Sequence, residues 1–166
     1  VILAVGLAGV SDAEHDDIQV GPEFRILADG PGEGIQRAPH AAFGDGVFLV
    51  VWQEGWHGEG GNSRIYAARV SPDGKVLSPG AMQVAAAETG VQEYPRVAFG
   101  GGVFLIAWQD MRNGKDADVL AARVTSAGTR LDVNPLPLAT GPGTQALPDV
   151  ASDGRDFLVV WQSFDR

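Results

Sequence analysis

The sequence predicts an all-β chain built from β-propeller blades of four antiparallel strands, with about three blades' worth of strands in its 166 residues. Three observations predict it. The segment Ala42–Gln53 returns as Ala98–Gln109 and again as Ala151–Gln162, which sets Trp52, Trp108 and Trp161 at spacings of 56 and 53 residues. A second segment alternates with the first: Ile65–Gly74 recurs as Val119–Gly128, each with the run Ala-Ala-Arg-Val. The 23 glycines and 10 prolines favour frequent turns over long helices. A fixed period decides the architecture ahead of any local assignment, and four strands in about 55 residues is the arithmetic of a propeller blade.

In chain order, residues 1–35 are expected to form an N-terminal half-blade hairpin, supplying strands 3 and 4, with a linker. Its apolar run, Val1 to Val10, reads as a strand. A rival reading is the remnant of a signal-peptide core with Ser11-Asp12-Ala13 as a small-residue cleavage site; the run is far short of the about 20 residues that span a bilayer. Residues 36–91 and 92–144 are each expected to be a complete blade, and residues 145–166 a C-terminal half-blade supplying strands 1 and 2. Each first strand opens with a Gln three residues ahead of a Pro: Gln36 and Pro39, Gln92 and Pro95, Gln145 and Pro148. A Gly-rich turn follows, then an unbroken apolar run such as Val103–Trp108, which suits a strand buried on both faces. In the second hairpin, Ser71-Pro72-Asp73-Gly74 is a turn because Pro presets φ and Gly accepts a positive one. Trp52, Trp108 and Trp161, with Phe48, Phe104 and Phe157, are expected to pack between neighbouring blades. Rings of this kind have about 4–8 blades, and a single repeat cannot bury its apolar face alone. The ring is therefore expected to be completed by further sequence or by another protein subunit.

The series Val103-Phe104-Leu105-Ile106-Ala107-Trp108-Gln109-Asp110-Met111-Arg112-Asn113-Gly114, followed by Asp118–Val124, resembles the Trp-Gln-Asp-x-Arg-x-Gly repeats of bacterial secreted and cell-surface proteins. The resemblance covers nearly the whole chain and implies propeller-like extracellular scaffolds without a shared catalytic set. Glu54 and Ser163 stand where the middle copy has Asp110, and neither neighbouring copy keeps the Arg-x-Gly.

Composition narrows the chemistry. Without cysteine, disulfides and thiolate metal sites are excluded. A net charge of −9 with no basic run argues against nucleic-acid binding and against anionic membrane surfaces. The Gly-x-Ser-x-Gly, His-Glu-x-x-His and phosphate-cradling Gly-x-x-x-x-Gly-Lys patterns are absent, and no cofactor or metal is expected. The acidic stretch 11–17 reads as a solvated turn, since its spacing does not match a Ca²⁺ loop.

The ligand candidates lie in the loops after the second strands. Trp56 and His57 offer an aromatic face beside an imidazole, while Asp110, Arg112 and Asp116 form the charged counterpart one blade on, with Arg112 expected to pair with Asp116 or Asp118. Glu54 aligns with Asp110, so paired acid/base chemistry is a further option. The function expected is a non-enzymatic scaffold or protein-interaction module, extracellular, at a bacterial cell surface or in the periplasm. A glycan-binding propeller is the alternative, and a glycan-active enzyme using the aligned carboxylates comes third.

Overall fold

The structure, a computed structural model, describes residues 4–5, 8–10, 18–26, 35–55, 62–78, 80–85 and 90–164. The expected acidic turn at 11–17, Trp56 and His57 lie outside the described residues. The fold is all-β with antiparallel sheets. Its strands are β1 (Ala4–Val5), β2 (Ala8–Val10), β3 (Ile18–Val20), β4 (Phe24–Arg25), β5 (Ile35–Gly44), β6 (Val47–Gly55), β7 (Ser63–Val70), β8 (Met82–Gln83), β9 (Gln92–Gly100), β10 (Val103–Asp110), β11 (Asp118–Thr125), β12 (Leu136–Ala139), β13 (Thr144–Ser152) and β14 (Phe157–Phe164). Two four-stranded meanders, β5-β6-β7-β8 and β9-β10-β11-β12, are flanked by the pairs β1-β4 and β2-β3 on the N-terminal side and by the hairpin β13-β14 on the C-terminal side.

The central strands are apolar on both faces because both faces are covered. Leu49, Val51, Ile65 and Ala67 of the first meander share one core with Val97, Phe104, Ile106, Trp108, Ala122 and Val124 of the second. The alternate residues of the first meander, Val50, Trp52, Ala68 and Val70, pack in the opposite direction with Phe24 and Ile26. Those of the second, Ala98, Leu105, Ala107 and Ala121, pack against Val150, Phe157 and Val159. The period-2 alternation of side chains thus serves two cores at once, which is why no polar alternation marks these strands.

Neighbouring sheets approach one another through their first strands, β5, β9 and β13. Gly44 sits at a close approach: a Cβ there would run into the Phe99 ring. Each first strand also carries a bulge, where Ala38-Pro39, Tyr94-Pro95 and Leu147-Pro148 drop out of the ladder. The registers on either side put the bulges opposite Trp52, Trp108 and Trp161. Two residues facing one is the definition of a bulge, and Pro, having no N–H to donate, is tolerated there.

Candidate functional site

Two polar devices fix the geometry around the first strands. One is a corner built on the carboxylate that follows each Trp-Gln. Trp108 Nε1 donates to Asp110 Oδ2 at 2.9 Å and Gln92 Nε2 donates to the same oxygen at 3.1 Å. The Arg112 backbone N–H and Nε donate to Oδ1 at 3.0 and 2.8 Å, and Arg112 Nη2 reaches Oδ2 at 2.6 Å. Burial pushes the Asp110 carboxyl up, but the hydrogen bonds from Arg112 and Trp108 outweigh it and leave the group below the ordinary carboxylate range. Glu54 makes the same corner with longer bonds, accepting from Trp52 Nε1 at 3.4 Å and from Gln36 Nε2 at 3.3 Å. Ser163 occupies the third place, and Gln145 Nε2 turns instead to the Pro142 carbonyl at 3.4 Å.

These corners alter the picture of the expected site. Glu54 and Asp110 are buried, with lone pairs engaged by indole, amide and guanidinium donors. The carboxylate gripped by Arg112 is Asp110, whereas Asp118 accepts from Asn113 Nδ2 at 3.1 Å. Asp116 is held in the same turn, its N–H donating to Asn113 Oδ1 at 3.1 Å. Trp52, Trp108 and Phe104 are fully buried, Phe48 and Phe157 half-buried, and Trp161 exposed.

The second device links neighbouring sheets. Gln53 Oε1 accepts from the backbone N–H of Tyr94 at 3.0 Å, and Gln109 Oε1 accepts from that of Leu147 at 3.3 Å. Tyr94 and Leu147 are the bulge residues, held at φ of 53° and 51°, with Ala38 at 49° in the first copy. A non-Gly residue in this region costs on the order of 1–3 kcal/mol and persists only where its surroundings hold it. The Gln side chains supply two of the holding contacts, so the repeated Trp-Gln and Gln-x-x-Pro patterns are two halves of one joint.

What the joint positions is the residue after each bulge proline: His40, Arg96 and Asp149. They lie on adjacent first strands as a row. His40 Nδ1 accepts from the Val97 N–H at 3.3 Å, so the free Nε2 carries the proton of the neutral ring. Burial, then the Arg96 charge, lower the His40 pKa, with Asp149 opposing them. Arg96 Nε lies 3.9 Å from Asp149 Oδ1, and the Asp149 side chain is 66% exposed. Tyr94 and Leu147 present exposed side chains from the two bulges next to this row. Sequence reasoning passed over the row, although it left a signal. The post-proline position changes identity in every copy yet stays ionisable, amid flanking residues that repeat as apolar.

No protein-family model matches the chain, and no curated protein matches it. Among solved structures, an endo-arabinase from Bacteroides thetaiotaomicron VPI-5482 superposes with a TM-score of 0.55 at 16% identity, covering 85% of this chain and 56% of its own. An α-L-arabinofuranosidase from Lactobacillus brevis superposes with a TM-score of 0.51 at 12% identity, covering 90% of this chain and 50% of its own. The chain therefore spans about half the length of these solved chains, and at such identities the likeness is one of fold. It corrects the expectation of a non-enzymatic scaffold, because the solved chains of similar fold are an endo-arabinase and an α-L-arabinofuranosidase. The carboxylates visible in the sequence motif are structural corners, and the ionisable row beside them carries no motif.

Proposed function

We propose that this chain is a β-propeller portion of a glycan-active enzyme, with the row His40, Arg96 and Asp149 as its sugar-contacting surface. On this reading the two meanders are blades, β5, β9 and β13 line the central channel, and the row faces into it. The observation that carries the proposal is the recurrence of an ionisable side chain at one position of three adjacent first strands, on a fold similar to that of two glycoside hydrolases. Glycoside hydrolysis places a carboxylate on each side of the scissile bond. Asp149 is the exposed carboxylate of the row and supplies one of them; Arg96 orients it and donates to sugar hydroxyls. The neutral His40 ring donates from Nε2, and the exposed Tyr94 ring gives the apolar face of a sugar a platform. Arabinose-containing glycans are the first substrate class to test, because the solved neighbours are named an endo-arabinase and an α-L-arabinofuranosidase. A polymeric plant-type glycan would also place the protein outside the cell or in the periplasm.

The test is release of nitrophenol from an aryl α-L-arabinofuranoside and of reducing ends from arabinan. Asp149→Asn is expected to lower kcat by about 10²–10⁴-fold with little change in folding. Wild-type protein that neither binds nor turns over these substrates overturns the reading. Binding without turnover favours a glycan-binding module, a second reading motivated by Asp149 being the one carboxylate in the row.

A further inference from the structure

The joint that leads to Asp149 differs from the joint that leads to Arg96 in the residue across the ladder from its Gln. Across from Gln53 stands Arg37, exposed, and across from Gln109 stands Glu93, 6% exposed. The third copy has Ala146 at that place, opposite Gln162. Among the described residues, a buried carboxylate therefore occupies this place only in the joint whose next strand carries Asp149. Taking a carboxylate out of water is costly, so its hydrogen bonds have to hold it there.

Those bonds form a chain. Glu93 Oε2 accepts from Gln109 Nε2 at 3.3 Å, and Gln109 Oε1 accepts from the Leu147 N–H at 3.3 Å. A carboxylate accepts and does not donate, whereas a primary amide has a donating end and an accepting end. With Glu93 on one side, the Gln109 amide has a single satisfied orientation, nitrogen to Glu93 and oxygen to Leu147. The reverse orientation would set oxygen against carboxylate and N–H against N–H.

From Leu147 the constraint reaches Asp149 through two residues of restricted backbone. Leu147 is held at φ 51°, a left-handed conformation that a Leu keeps only where its surroundings impose it. Pro148 has its φ set by its own ring. The direction in which the chain leaves the bulge is thus decided before Asp149, whose Oδ1 accepts from the Val150 N–H at 2.9 Å and lies 3.9 Å from Arg96 Nε.

We infer that Glu93 is a positioning residue: by fixing the Gln109 amide it holds the Leu147 bulge and aims the Asp149 carboxylate at the bound sugar. The inference rests on Asp149 being the sugar-contacting carboxylate proposed above. Glu93 differs in role from Asp110, which closes a strand end within one sheet, because the Glu93 chain crosses to the next sheet and ends beside the row.

Amide hydrogen exchange, followed residue by residue by NMR, reads the arrangement without substrate. Glu93→Gln offers donors as well as acceptors to Gln109 and lets its amide turn over. Exchange of the Leu147 and Val150 N–H groups is then expected to quicken about fivefold, while the ladder amides between β13 and β14 keep their rates. On an aryl α-L-arabinofuranoside the same variant should lose about 10-fold to 10²-fold in kcat with KM within about twofold, since the carboxylate is displaced and the binding surface is retained. Exchanging the pair, Glu93→Gln with Gln109→Glu, again turns an accepting oxygen to the Leu147 N–H and should restore wild-type exchange and most of kcat. Unchanged exchange at Leu147 and Val150 in Glu93→Gln, unchanged kcat, or a swap no better than the single variant overturns the inference. If Glu93→Gln does not fold, the swap decides alone: folded with wild-type exchange it supports the inference, and unfolded or fast-exchanging it overturns it. Wild-type protein without glycan turnover overturns the proposed function, while the exchange rates still show whether Glu93 holds Asp149.

Discussion

The corner at Asp110 and the corner at Glu54 occupy equivalent places, one sheet apart, and differ in how completely they are built. Both bury a carboxylate under a Trp, and both accept from the Gln directly across the ladder, Gln92↔Asp110 and Gln36↔Glu54. The shorter Asp side chain has closer bonds, 2.9 and 3.1 Å against 3.4 and 3.3 Å, and among the described residues only it is clamped by an arginine from the following turn. That turn closes because the Arg112 N–H returns to Asp110 Oδ1 and Gly114, at φ 70°, donates its N–H to the Met111 carbonyl at 3.1 Å. The difference teaches that the Asp-x-Arg-x-Gly series is a clamp on a strand end. Where it is absent, the corner persists on weaker bonds.

The largest expected effect tests that ranking. Asp110→Ala leaves the Trp108 indole N–H and the Gln92 amide buried without their acceptor and releases Arg112. Breaking a buried, charge-assisted cluster of this kind costs about 3–5 kcal/mol. Glu54→Ala removes two long hydrogen bonds and should cost about 1–2 kcal/mol. Urea unfolding of both variants reads the difference from the midpoints at constant slope. Equal losses would break the comparison and return the arginine clamp to ornament.

Acid sharpens the same contrast. The folded Asp110 carboxyl is held below the ordinary carboxylate range, so the unfolded chain binds its proton first as pH falls. Its contribution is complete above the unfolded value, near pH 4, and is lost as pH drops through the lower folded value. Asp110→Asn cannot titrate, and its stability should fall less steeply than that of wild type between about pH 4 and pH 2. Thermal melts across that window check it, and parallel curves would show that Asp110 contributes nothing through its charge.

These corners also mark how far the sequence can be read. The strands, the turns and the alternation of two hairpin types were legible because each is written locally: unbroken apolar runs, Pro-Asp-Gly and Gly-Gly turns, and a period near 55 residues. The reason for Gln53 and Gln109 was not, since each accepts from a backbone N–H on the next sheet, about 40 residues away in sequence. A longer separation, 56 and 53 residues, hid the row of His40, Arg96 and Asp149, whose members become neighbours only when β5, β9 and β13 stand side by side. Glu54 and Asp110 drew attention as aligned carboxylates, and alignment alone does not reveal that a Trp N–H faces each one.

The smallest expected effect lies at the third corner. Ser163 pairs across the ladder with Gln145, as Asp110 does with Gln92, yet its side chain has no carboxylate, and Gln145 Nε2 donates to the Pro142 carbonyl instead. Ser163→Asp supplies an acceptor for Gln145 Nε2 and for the Trp161 indole, the equivalents of two donors that the Asp110 corner engages. Because β14 is open to solvent, screening keeps the gain to about 1 kcal/mol or less. Adding Phe164→Met and Asp165→Arg rebuilds the sequence of the middle copy from 163 to 165, Asp-Met-Arg, and with it the donors that clamp Asp110. If the arginine is what separates the strong corner from the weak one, the triple variant should gain more than Ser163→Asp alone, measured as the rise in thermal midpoint. An identical rise in both would assign the stability of the Asp110 corner to its Trp and Gln donors instead.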